Sequence, residues 1–78
     1  MKDVLWNAII LDEFIRLALL TDLEEQILRT QIKGWSRTKQ SMEFNISIET
    51  VDRVIKTIRK KYDSVQPFSS VLPLRKKE

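Results

Sequence analysis

The chain has 78 residues, with one glycine, two prolines and neither cysteine nor histidine. That bounds it to one small domain and excludes disulfides, thiolate or imidazole metal sites, catalytic triads and cysteine nucleophiles. Its apolar fraction of 42% suffices for a packed core, and its net charge of +3 is unevenly spread, with residues 1–32 at −3 and residues 33–78 at +6.

Residues 4–20 are largely apolar, but Asp12, Glu13 and Arg16 interrupt them. A membrane span wants roughly 20 mostly uncharged residues, so none is expected. A signal peptide wants a basic start and a small-residue cleavage site, and neither is evident. The absence of cysteine fits a reducing cytoplasm, which is the expected location. The spacing predicts a first helix over residues 3–19, with apolar side chains covering more than the narrow stripe of a surface helix. Such a helix is wrapped by its own domain or shared with a second subunit, and a homodimer through residues 3–19 is the expectation.

Thr21-Asp22-Leu23-Glu24 has the form of a capping box and predicts a second helix ending at Gly34. Leu23, Ile27 and Leu28, with Gln31 and Ile32, supply its inward face. Ser36 caps a third helix over residues 37–44, and Asn45 suits the tight turn that follows, since asparagine tolerates positive φ. Ser47 caps a last long helix over residues 48–62. There Val51, Ile55, Ile58 and Tyr62 recur at spacings of four, three and four, one inward stripe, while Glu49, Asp52, Arg53, Lys56, Arg59, Lys60 and Lys61 point out. Trp6, Trp35 and Tyr62 fit core positions better than base-stacking ones. Pro67 and Pro73 stop the helical pattern. Val65, Phe68, Val71, Leu72 and Leu74 can pack as an extended arm, and Arg75-Lys76-Lys77 makes a basic, mobile tail. The fold class is therefore all-α: a small domain of four helices with an extended C-terminal tail, divided at residues 1–65 and 66–78.

Leu20-Thr21, Glu24, Ile27-Leu28, Gly34, Ser36, Ile46-Ser47, Thr50-Val51, Ile58 and Lys61 stand at a spacing that resembles the C-terminal DNA-binding domain of LuxR-type regulators. The likeness runs from residue 20 to 65 without a gap. The framework is also similar to region four of bacterial sigma factors, which reads promoter DNA while bound to RNA polymerase. Either resemblance implies a helix-turn-helix, with residues 48–62 as the recognition helix in the major groove. The chain departs from the LuxR pattern at Gln40-Ser41, where an Ile-Ala pair is usual, with Trp35 or Met42 expected to fill the volume. It departs again at Asn45, which replaces a turn glycine, and at Gln66-Pro67, where a fourth helix that often makes the dimer contact should follow. The leading 20 residues are too few for a receiver or ligand-sensing domain, so regulation through one is not expected.

The resemblance implies base-edge contacts from Asp52, Arg53 and Lys56. Arg53 suits a guanine and Asp52 a cytosine amino group, unless Asp52 instead orients Arg53 or pairs with Lys56. Phosphate contacts are expected from Arg37, Thr38, Lys39, Ser47, Thr50, Arg59 and Lys60, although Ser47 is a cap with or without DNA. The expected function is sequence-specific duplex DNA binding by a small transcription regulator without a cofactor. The alternative is a sigma-like or inhibitor-type module acting on RNA polymerase or another regulator. No convergent catalytic motif is present, so no enzyme is expected.

Overall fold

The computed structural model describes residues 2–75, which form four helices and, among the described residues, no strand. These are α1 (Ala8–Ala18), α2 (Asp22–Ile32), α3 (Arg37–Phe44) and α4 (Ile48–Val65), followed by a single 3-10 turn at Gln66–Phe68. None of the helices is long and apolar enough to cross a membrane.

α4 is the axis of the fold, because α1, α2 and α3 all pack against it. Its stripe of Val51, Ile55, Ile58 and Tyr62 is buried as the periodicity predicts, against Ile27 and Leu28 of α2 and Phe14 of α1. Phe14, Tyr62 and Trp6 meet in a cluster with ring centroids 5.1–5.8 Å apart. Edge-to-face pairs of this kind add to the energy of burial itself.

α1 begins five residues later than the expected boundary. Asn7 is extended (φ −139°, ψ 175°) and its Oδ1 accepts from the Ile10 N–H at 2.9 Å, a helix cap set inside the apolar run. Ahead of that cap, Val4 is buried and Trp6 reaches the aromatic cluster, so these residues are used as extended core fillers rather than as a helical turn. The breadth of apolar surface on α1 is mostly consumed within the chain, since Ile10, Leu11, Ile15, Leu17 and Ala18 pack on the core.

α2 starts with both hydrogen bonds of the capping box: Glu24 N–H to Thr21 Oγ1, and Thr21 N–H to Glu24 Oε1. It ends through Gly34 at φ +92°, a left-handed residue that lets the Trp35 N–H turn back onto the Thr30 carbonyl. α3 has the expected bounds, and Asn45 takes the left-handed conformation (φ 56°) that closes the turn. α4 runs three residues beyond the expected end, to Val65, because nothing before Pro67 interrupts it.

Gln40, the polar residue at an apolar site, is fully buried. Its Nε2 donates to the Ile27 carbonyl (3.1 Å) and to Thr30 Oγ1 (2.9 Å), joining α3 to α2. The expected volume fillers do not serve: Met42 is 75% exposed, and Trp35 stacks on Phe44 instead.

Past the 3-10 turn the chain folds back. Leu72 is buried, the Gln66 Nε2 donates to its carbonyl, and the Tyr62 hydroxyl donates to the Pro73 carbonyl. Burial pushes the Tyr62 phenol up, and Asp3 and Asp63 push it further. Ser69 Oγ donates to Glu13, which also receives Arg16, and these two hydrogen bonds hold the Glu13 carboxyl below its usual range. Arg75, expected to be mobile, is tied to Asp63 (2.7 Å) and Asp3 (2.6 Å), and these carboxylates raise its pKa further. Lys76 and Lys77, the rest of the expected basic tail, lie outside the described residues.

Candidate nucleic-acid interface

The side of α4 away from the core is built by helical spacing alone. With Val51, Ile55, Ile58 and Tyr62 inward, Arg53, Lys56, Arg59 and Lys60 must face out, and all four are exposed. Among the described residues none of them has a carboxylate at ion-pair distance. Lys61 differs from its neighbours. Its Nζ reaches Glu24 Oε1 at 2.6 Å, pinning α4 to the first turn of α2. Burial raises the Glu24 carboxyl, but the Lys61 ammonium and the Thr21 N–H outweigh burial and leave it below its usual range.

Most of the acids are occupied in the same way. Glu13 holds Arg16, Glu25 holds Arg29, and Asp3 and Asp63 share Arg75. Among the described residues Asp12, Asp22, Glu43 and Glu49 form no ion pair, so α4 presents four unpaired cations against one unpaired acid, Glu49.

Asp52 does not pair with either of the partners expected for it, Arg53 or Lys56. It accepts from Arg37 Nη1 at 2.7 Å, linking the first residue of α3 to the second turn of α4. The physical reason is the α3–α4 turn, which sets the start of α3 beside Asp52, whereas Arg53 is one residue on and projects to a different side. Around this pair an open cleft of about 400 Å³ is lined by Gln31, Arg37, Asp52, Ile55, Lys56 and Arg59. Four of the sequence-predicted site residues (Arg37, Asp52, Lys56 and Arg59) thus converge, while Arg53 and Lys60 lie outside the cleft wall. Gln31, expected on the inward face of α2, is half-buried and lines the cleft, a position with no local sequence signal.

Ser47 and Thr50, expected to touch phosphates, are partnered locally. Ser47 Oγ accepts from the Thr50 N–H (3.0 Å) and is hydrogen-bonded to Thr50 Oγ1 (2.8 Å), which makes both part of the α4 cap. Ser36 Oγ accepts from the Lys39 N–H, and the Lys39 ammonium sits 4.3 Å from the centre of the Trp35 ring, a cation–π contact that fixes the lysine beside the start of α3. Thr38 is exposed in the first turn of α3. No family model, curated protein or solved structure matches the chain.

Proposed function

We propose that this chain binds duplex DNA as a small transcription regulator, with α3 and α4 acting as a helix-turn-helix and α4 entering the major groove. The observation that carries the reading is the row Arg53, Lys56, Arg59 and Lys60: four exposed cations on one helix, none with a carboxylate partner among the described residues, against a single unpaired acid on that helix, Glu49. Unpaired cations along one helix are what a polyanion needs, because each phosphate neutralised releases condensed counterions.

In this reading Arg53 carries base recognition, since its guanidinium is exposed near the N-terminal part of α4 and can meet a guanine edge bidentately. Lys56, expected at a base edge, faces the same cleft as Arg37 and Arg59 and can serve a base edge or a phosphate there. Arg37, Thr38 and Lys39 at the start of α3, Ser47 and Thr50 at the start of α4, and Arg59 and Lys60 further along it then track the phosphates and set the register. Asp52, held by Arg37, is a weaker candidate for a cytosine contact than its position alone suggests.

The second reading, a protein-interaction module acting on RNA polymerase or another regulator, is favoured by the exposed apolar residues. Ile9 is 70% and Phe68 86% exposed, and Leu5, Leu19 and Leu74 are as open to solvent. A homodimer that uses the free part of the first apolar segment, Leu5 and Ile9, belongs to the same group of expectations.

The two separate on one substitution. Arg53→Glu is expected to weaken binding to duplex DNA by about a hundredfold, measured by fluorescence anisotropy, with an unchanged helical circular-dichroism spectrum. Undiminished DNA binding by this variant sinks the assignment of α4 as the recognition helix.

A further inference from the structure

We infer that the cleft between α2, α3 and α4 is a phosphate seat gated by Asp52: a phosphate group displaces the Asp52 carboxylate from Arg37 and is then held by Arg37, Lys56 and Arg59. The inference rests in part on the DNA-binding reading, but its chemistry is that of a phosphate from either a nucleic-acid backbone or a free phosphate compound.

Three cations and one carboxylate line the same 400 Å³ cleft. Lys56 and Arg59 are three residues apart on one helix, a spacing at which like charges repel. Asp52 is the only acid in the cleft wall, and Arg37 already takes it at 2.7 Å. Two cations therefore face the cleft without a carboxylate of their own. A phosphate offers more acceptor oxygens than a carboxylate and can take a guanidinium and both neighbouring cations together.

The Arg37–Asp52 pair is easily exchanged. Its side chains are 59% and 39% exposed, and an ion pair open to water contributes little net stability. Ile55 gives the cleft an apolar wall. Gln31 adds an amide whose Oε1 is buried without a hydrogen-bond partner. Asp52 then has a definite role. It occupies Arg37 when no anion is present and lowers the affinity of the cleft for every anion, which restrains indiscriminate binding to nucleic acid.

The test is a double-mutant cycle read with two probes, inorganic pyrophosphate followed by NMR and a short random-sequence duplex followed by anisotropy. Asp52→Asn is expected to bind pyrophosphate about fivefold more tightly than the native chain, with shifts centred on Gln31, Lys56 and Arg59. In an Arg37→Gln background the same change is expected to alter affinity by less than about twofold, because the carboxylate then has no guanidinium to release. Equal strengthening in both backgrounds would mean a general loss of negative charge and overturns the gate, as does weaker binding by Asp52→Asn or pyrophosphate shifts located elsewhere. Coupling seen with pyrophosphate but no binding of the duplex keeps the seat and sinks the DNA reading. Duplex binding without coupling between residues 37 and 52 does the reverse.

Discussion

Gln40 shows how one residue can set the geometry of the framework that presents α4. Its Nε2 bonds the Ile27 carbonyl and the Thr30 hydroxyl, while its Oε1 is buried with no partner. A buried acceptor without a hydrogen bond costs about 1–3 kcal/mol, comparable to what the two donated bonds return. Gln40→Leu is therefore expected to match the native stability or exceed it by up to about 1 kcal/mol in urea unfolding, since it fills the same space without the orphan oxygen. Gln40→Ala leaves a void and is expected to cost about 2 kcal/mol. A Leu variant as damaged as the Ala variant would mean that the two hydrogen bonds, not the volume, hold α3 on α2. None of this is visible in the local pattern, because the partner carbonyl is 13 residues away. The Arg37–Asp52 pair, spanning 15 residues, is hidden for the same reason.

At the scale of the elements, legibility follows the range of the signal. Thr21, Ser36 and Ser47 each close a hydrogen bond within three residues, and the starts of α2, α3 and α4 fall where these caps predict. The start of α1 is not legible, because Asn7 stands inside an apolar run and looks like an interruption, while the fate of Val4 and Trp6 is decided by a core formed from residues far along the chain. The end of α1 holds a residue in an unfavourable state. Leu19 is left-handed at φ 50° with its side chain 82% exposed, so it bears the cost of that conformation without the return of burial. Leu19→Gly is expected to raise stability by about 0.5 kcal/mol in thermal or urea unfolding, the relief of strain exceeding the extra entropy of the unfolded glycine. A clear loss of stability instead would show that this leucine packs on something, as a subunit interface through α1 would provide.

Over the whole molecule, the return of residues 66–75 is the feature that sequence patterning reached only halfway. The apolar spacing from Phe68 to Leu74 predicts an arm able to pack, but not that Leu72 is buried beside Tyr62 or that Arg75 joins Asp3 to Asp63. The arm closes the core opposite the cation row, and it ties the extended N-terminal residues to the end of α4. Leu72→Ala is expected to cost about 2–3 kcal/mol by urea unfolding, while leaving the outward face of α4 intact. A cost below about 0.5 kcal/mol would show that the arm does not support the core. The separation of this core from the cations is what makes the functional reading testable on a folded protein. The most direct measurement is the salt dependence of duplex binding by the native chain and by Arg53→Glu. Between about 50 and 200 mM salt the native affinity is expected to fall on the order of a hundredfold, as for several released phosphate counterions, with the variant weak throughout. Native binding that is absent at the lowest salt, or that ignores salt and the charge at residue 53, would contradict the claim that α4 engages DNA.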